Sequence, residues 1–289
     1  MNTNPLISAA ELAAIIDRDD VIVVDCRHQL ADPAAGNRAW KEGHIPGGVH
    51  ANLDHDLSDL GKQGEGRHPL PDPASFMRWL ASIGWTPEKK VVTYDDAGGA
   101  LAASRLWWML RLIGHDKAQV LDGGLAAWTR NGSKLENSLW NIVASEPRER
   151  AWSSVQLVDA QSLQRGLADR SMLLIDARAE ARYRGEVEPI DSVAGHVPGA
   201  VNRPFSANLD DNGLFKRSSP LRDEWLALLE DRRPDDVVHM CGSGVTACHN
   251  LLAMEHAGLH GARLYVPSWS GWISDPGRPV AKGEMPNDE

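Results

Sequence analysis

Cysteine is scarce in this 289-residue chain: Cys26, Cys241 and Cys248 are the only three, and no two form a Cys-x-x-Cys pair. That scarcity excludes a disulfide framework and a cysteine-built zinc site, and it points to a reducing cytoplasm. Long apolar runs are also missing. None approaches the roughly 18 residues that would suggest a membrane span, so no membrane is expected among the partners. The segment Met1 to Asp20 has no cationic start followed by an apolar core, and it carries acids where a transit peptide would carry Arg and Ser; it reads as mature sequence. Cations are in deficit, with 30 Lys and Arg against 40 Asp and Glu for a formal net charge of -10. A nucleic-acid partner is excluded on that ground, because the phosphate backbone demands clustered Lys and Arg. An anionic substrate would have to be met by cations or backbone N–H groups gathered locally, since the global field repels it.

Hydrophobic residues make up 42% of the chain and charged residues 24%, which is ordinary for a globular protein, and the length suits two domains. A long-period repeat supports that division. Val21-Ile22-Val23-Val24-Asp25, then Arg27, then Gly43-His44-Ile45-Pro46-Gly47 is answered by Leu173-Leu174-Ile175-Asp176, Arg178 and Gly195-His196-Val197-Pro198-Gly199. Val91-Val92-Thr93-Tyr94-Asp95 is answered by Val237-Val238-His239-Met240-Cys241, each leading through a glycine-containing turn into a helical pattern. Short apolar runs alternating with helical stretches, such as 100–113 and 245–257, predict parallel strands with crossover helices, an α/β architecture in each half. The expected boundaries are a first domain over 1–135, a polar linker over 136–152 and a second domain over 153–289. Trp140 and Ile142 would hardly be left in water, so the linker is expected to lie across a domain surface. The eleven tryptophans, Trp107 and Trp108 among them, read as core and interface filling.

The sharpest local signal is Cys241-Gly242-Ser243-Gly244-Val245-Thr246-Ala247, which follows a strand and opens a helix. Gly242 and Gly244 let the backbone curl, so that the N–H groups through Val245 and Thr246 converge at the positive end of a helix dipole. A thiol there ionises readily, because those donors stabilise the thiolate. The alternative, a buried structural cysteine, is disfavoured by the strand–turn–helix setting. Asp25 and Asp176, at strand ends before Arg27 and Arg178, read as loop-fixing ion-pair or capping residues. His249, His256 and His260 lack a metal-site signature, and neither a metal nor an organic cofactor is called for. Cys26 and Cys248 read as small buried apolar residues.

The cysteine loop, the paired Gly-His-Ile/Val-Pro-Gly segments and Asp122-Gly123-Gly124-Leu125-Ala126-Ala127-Trp128 together resemble the tandem-domain rhodanese family over nearly the whole chain. The loop is similar to that of its 3-mercaptopyruvate sulfurtransferases, whereas thiosulfate sulfurtransferases typically place Arg and Lys after the cysteine. The resemblance implies a Cys241 persulfide formed from a small anionic sulfur donor and discharged to a thiol acceptor such as thioredoxin, or to cyanide. It implies that the first domain, with Asp95 at the cysteine position, is silent, since a carboxylate cannot take up a sulfane sulfur. Arg182 matches the family's substrate-binding arginine, and Ser243, His68 and Asp54 match a serine, histidine and aspartate thought to assist catalysis. A second arginine that mercaptopyruvate enzymes often place before the Gly-His segment is missing from Glu188-Pro189-Ile190-Asp191-Ser192-Val193; Arg184 or an arginine of the first domain could replace it. The rival readings are a thiosulfate sulfurtransferase, a cysteine phosphatase and a non-catalytic rhodanese-like interaction module. The phosphatase lacks its phosphate-binding arginine, because the sixth residue after Cys241 is Ala247.

Overall fold

The structure, a computed structural model, describes residues 4–284. Its contacts divide the chain into two compact units. The first takes the residues up to Asp59, Leu70–Ser153 and Leu209–Phe215; the second takes Leu60–Pro69, Ser154–Asn208 and the chain from Lys216 onward. The segments Leu60–Pro69 and Leu209–Phe215 therefore each belong by contact to the other half of the sequence.

The first unit runs β1 (Leu6–Ile7), α1 (Ala9–Ala13), β2 (Val21–Asp25), α2 (Ala35–Glu42), β3 (Val49–His50), α3 (Pro73–Ser82), β4 (Lys90–Tyr94), α4 (Ala103–Leu112), β5 (Ala118–Leu121) and α5 (Gly124–Arg130). Its sheet has the order β1-β5-β4-β2-β3 with every pair parallel. Runs such as Ile22-Val23-Val24 are buried whichever way their side chains point, as a parallel sheet covered by helices requires. Helix starts are encoded locally: Ser8 and Glu11 form a reciprocal capping box on α1, and Pro73 occupies the first turn of α3. The sheet's core joins Ile7, Leu12, Val23, Val92 and Leu121 to Trp128.

The second unit runs α6 (Ala160–Ala168), β6 (Leu173–Asp176), α7 (Glu180–Tyr183), β7 (Val201–Asn202), α8 (Ser218–Leu229), β8 (Val237–Met240), α9 (Ala247–His256), β9 (Arg263–Leu264) and α10 (Ser268–Trp272). Its sheet has the order β7-β6-β8-β9, again parallel throughout. Helix α9 is buried from Ala247 to Met254 without interruption, so it is a core helix rather than an amphipathic surface one. Trp225, Trp269 and Trp272 fill this unit's interior, as Trp107 and Trp108 fill the first.

The repeat extends to side chains. In the first unit Arg27 Nη2 donates to Asp25 Oδ2 and to the Gly43 carbonyl, both at 2.6 Å. In the second, Arg178 Nη2 donates to Asp176 Oδ2 and to the Gly195 carbonyl, both at 2.7 Å. Each buried pair thus ties a strand end to the glycine that opens the Gly-His-x-Pro-Gly segment, the loop-fixing role expected of Asp25 and Asp176.

The polar stretch after Glu136 has no regular secondary structure until Ser154. Ser145 N–H donates to the Ala81 carbonyl at 2.9 Å and Trp152 Nε1 to the Pro71 carbonyl at 3.0 Å, so the strap lies along the first unit. Trp140 and Ile142 depart from the expectation, remaining 62% and 40% exposed. The strap is anchored through polar groups, and the indole N–H of Trp140 is satisfied by Glu136; neither contact requires the apolar faces to turn inward.

Candidate active site

Strand β8 ends at Met240 and delivers Cys241 to the turn before α9, where it is 1% exposed. The turn is held from one side by the start of α10. Cys241 N–H donates to Ser268 Oγ at 3.1 Å, the Cys241 carbonyl accepts from Trp269 N–H at 2.9 Å, and the Gly242 carbonyl accepts from Ser270 N–H at 2.9 Å. Ser268 adopts φ 52°, a left-handed conformation that costs a non-glycine residue about 1 kcal/mol or more. Gly244, at φ 73°, takes the left-handed residue of the turn itself. Val245 is buried and Thr246 occupies the N-cap position of α9. Among the described residues, the backbone N–H groups of Gly242, Ser243, Val245 and Thr246 have no acceptor.

Segment Leu60–Pro69 closes the other side. Gly66 has φ 87°, and a Cβ on it would lie 2.4 Å from the Pro267 carbonyl oxygen, so only glycine permits this approach to α10. Arg67 N–H then donates to Ser270 Oγ at 2.9 Å. The next residue, His68, is buried with Nδ1 2.8 Å from Ser243 Oγ. Ser243 and His68, 175 positions apart, are therefore brought together as expected.

Two guanidinium groups converge on Gly242. A Cβ there would stand 3.3 Å from Arg67 Nη2 and 3.6 and 3.7 Å from the two Nη atoms of Arg182. Arg182 Nη2 contacts Glu188 Oε1 at 2.7 Å and Asp191 Oδ2 at 3.1 Å, while Asp191 Oδ1 takes Arg67 Nη1 at 2.6 Å. Burial works to raise the Glu188 carboxyl, but Arg182 and the N–H groups of Asp191 and Ile190 overcome it and hold the group below its ordinary value. Trp269 supports the cluster, stacking under Arg178 at 4.6 Å and donating from Nε1 to the Val193 carbonyl at 2.9 Å.

The first unit repeats the turn with Asp95 in the cysteine's place. Asp95 Oδ1 accepts from the N–H groups of Ala97 and Gly99 at 2.9 and 2.8 Å, and Oδ2 from those of Leu101 and Ala103 at 3.0 and 3.3 Å. Burial nonetheless pushes the carboxyl up to about 6. This turn is an anion nest filled by its own side chain.

Asp54 belongs to the first unit, where its N–H donates to Asn52 Oδ1 at 2.8 Å. Cys26 is fully buried, its thiol pushed well up by burial and by Asp25, and Cys248 Sγ lies 3.5 Å from the Gly244 carbonyl, one turn back. His249, His256 and His260 hold separate contacts with Asn208, Lys216 and Glu255. No helix among the described residues is long and apolar enough to cross a membrane. Sequence reasoning missed Ser268, Ser270, Asp191 and the placement of Arg67. The last had a visible signal, since Arg67 directly precedes the histidine singled out in Gly66-Arg67-His68-Pro69-Leu70-Pro71.

Fold and site together define a tandem α/β protein in which one turn carries Cys241 and the equivalent turn carries Asp95. Residues 8–131 and 159–275 each match the rhodanese-like domain, and the chain belongs to that family. A probable 3-mercaptopyruvate sulfurtransferase of Pseudomonas aeruginosa is 46% identical over 98% of this chain and 100% of its own length. A putative thiosulfate sulfurtransferase of Mycobacterium tuberculosis is 39% identical over 96% of this chain and 97% of its own. The crystal structure of SseA, a 3-mercaptopyruvate sulfotransferase from Escherichia coli, superposes with a TM-score of 0.79 at 31% identity, over 93% of this chain and all of that one.

Proposed function

We propose that the protein is a sulfurtransferase that takes the sulfur of 3-mercaptopyruvate onto Cys241 and passes it to a thiol. The Cys241 thiolate attacks the donor sulfur. The carbon–sulfur bond breaks, its electron pair becomes the enolate of pyruvate, and a proton completes pyruvate, leaving a Cys241 persulfide. An acceptor thiolate then attacks the outer sulfur and releases the Cys241 thiolate; cyanide in the same role yields thiocyanate. The observation that carries this reading is the pair of equivalent turns. In one, backbone N–H groups close on the Asp95 carboxylate; in the other, the corresponding turn surrounds Cys241 and leaves the N–H groups of Ser243 and Val245 without an acceptor among the described residues. A turn that wraps an anion in one repeat suits a thiolate and persulfide in the other.

Ser243 has one hydroxyl proton. If His68 Nδ1–H donates to Ser243 Oγ, that proton is available to the oxygen on which the enolate charge develops. Asp54 is assigned, by its match to the family motif, the part of assisting His68. Gly242 to Thr246 form the anion-binding turn, and Arg182 receives the donor's carboxylate. Three free cysteines suit a reducing cytoplasm, where thioredoxin is an available dithiol acceptor.

A second reading, thiosulfate as donor, is favoured by the two guanidinium groups over Gly242, which would serve sulfonate oxygens equally well. Steady-state rates with both donors separate the two. The cysteine's role is tested by Cys241→Ser, which should abolish pyruvate and sulfide formation from 3-mercaptopyruvate; turnover at the normal rate would end the proposal.

A further inference from the structure

We propose that Arg105 is a positioning residue for the reaction: it holds the end of the turn that carries Asp54, at the root of the arm that carries His68. The inference rests on the sulfurtransferase reading above. Arg105 lies at the start of α4 and is 0% exposed, on a helix buried without interruption from Ala103 to Leu110. A charge in such a place is costly unless it is hydrogen-bonded, so its presence calls for a role. Arg105 Nε and Nη2 donate to the Leu57 carbonyl at 3.3 and 3.1 Å. Leu57 is itself fully buried, so no water could take over from the guanidinium without rearrangement.

Leu57 closes a hydrogen-bonded turn. Its N–H and that of Asp56 donate to the Asn52 carbonyl at 3.3 and 2.9 Å, and the Asn52 N–H donates to Asp56 Oδ2 at 2.7 Å. Asn52 Oδ1 accepts from the N–H groups of Asp54 and His55 at 2.8 and 3.2 Å. Asp54 therefore rides on a turn pinned by Asn52 at its start and by Arg105 at its end. The chain leaves the first unit directly afterwards, at Asp59, and the Leu60–Pro69 arm brings His68 to Ser243. The second unit makes the same provision. Asn250, at the start of α9, accepts from Asn208 Nδ2 at 2.7 Å and donates to the Arg203 carbonyl at 3.1 Å. Asn208 is the last residue before Leu209–Phe215, the segment that the second half of the sequence contributes to the first unit. The helix that follows each repeat's turn thus grips the root of the segment leaving its own unit. In the first unit that segment carries two residues assigned to the chemistry, which gives a unit without a cysteine in its turn a part in the reaction.

The test is steady-state kinetics with 3-mercaptopyruvate on the full chain, in the wild-type and Ser243→Ala backgrounds, with unfolding midpoints measured in parallel. Arg105→Met keeps much of the side chain's length and removes its donors. It should lower kcat about tenfold or more in the wild-type background, with the donor KM changed by less than about threefold. Because Arg105 acts through His68 and Ser243, the same substitution should cost less than about threefold in the Ser243→Ala background. Arg105→Lys, which keeps the charge and a donor, should recover part of the loss. A folded Arg105→Met protein with the wild-type kcat, or with equal losses in both backgrounds, would overturn the proposal. Where Arg105→Met does not fold, Asn52→Ala tests the same turn from its partly exposed end. It should show the same dependence on Ser243, and a wild-type kcat or equal losses in both backgrounds would again overturn the proposal. Such a failure in an active enzyme leaves the sulfurtransferase reading standing, whereas a wild-type protein inactive with both mercaptopyruvate and thiosulfate would refute that reading and the inference with it.

Discussion

Replacing Ser243 with Ala separates a structural loss from a catalytic one. The Ser243 side chain is buried, and its Oγ lies 2.8 Å from His68 Nδ1. Removing the hydroxyl takes that partner from a buried ring nitrogen, at a cost of about 1–3 kcal/mol in stability. For units of this size each kcal/mol lowers the unfolding midpoint by about 2–4 °C, so a modest fall is expected. The kinetic loss should be larger. If the hydroxyl meets the oxygen of the forming enolate, deleting it resembles removing an oxyanion donor, worth about 10²- to 10³-fold in kcat, or roughly 2.7–4 kcal/mol. Thiosulfate leaves as sulfite, whose charge is spread over three oxygens and forms no enolate, so its turnover should fall by only about threefold. Single-turnover release of pyruvate measures the first half-reaction; discharge of a preformed persulfide to a dithiol measures the second. The loss should fall on the first with mercaptopyruvate alone. Equal losses with both donors, or a mercaptopyruvate kcat within about threefold of wild type, would refute Ser243 as an enolate donor.

Arg182→Ala should raise the donor KM by about 10- to 150-fold, the equivalent of one charge-assisted contact of roughly 1.5–3 kcal/mol; an unchanged KM for every donor would exclude it from binding. Asp54→Asn should lower kcat with mercaptopyruvate by about tenfold or more and leave the donor KM nearly unchanged, and a wild-type kcat would strike Asp54 from the mechanism. Asp95→Ala should leave turnover within a few-fold, and a loss like that of Cys241→Ser would mean that the first unit does chemistry. The same variant reports on pH. Because the folded carboxyl lies near 6 and the free one near 3.8, Asp95 contributes most below 3.8 and loses about 3 kcal/mol in all as pH rises through 6, so wild type should lose most of that, about 2 kcal/mol, relative to Asp95→Ala between pH 4 and 7.

The parts of this protein readable from sequence are those in which cause and effect lie close along the chain. The strand runs, the Gly-His-x-Pro-Gly segments and the cysteine turn each announce themselves within ten residues, and the repeat shows each of them twice. Asp25 with Arg27 and Asp176 with Arg178 were legible for the same reason, being two residues apart. What stayed hidden is held by partners far apart in sequence. Arg67 and Asp191 are 124 positions apart, and Arg67 and Ser270 are 203. No periodicity reports such pairings; only the close approach that Gly66 permits establishes them. Trp140 was misjudged because a linker was expected to dock through its apolar side chains, whereas this one docks through the N–H of Ser145 and the indole N–H of Trp152.

The same long-range contacts set the charge around the cysteine turn. Read along the chain, Cys241-Gly242-Ser243 brings no cation to the reacting sulfur, and a neutral turn favours the monoanion. Read in space, two guanidinium groups stand over Gly242, so the turn is not short of cations at all. Glu188 and Asp191 already pair with those guanidinium groups and take up much of that charge. Absent side chains at Gly242 make room for the arginine heads, and the acids opposite limit how strongly those heads attract. Under the proposed function, the charge a donor meets is set by six buried or half-buried groups as well as by the two residues after the cysteine. A related enzyme could change donor by altering one of the acids while its cysteine turn remained the same, which is why similar turns need not imply the same substrate.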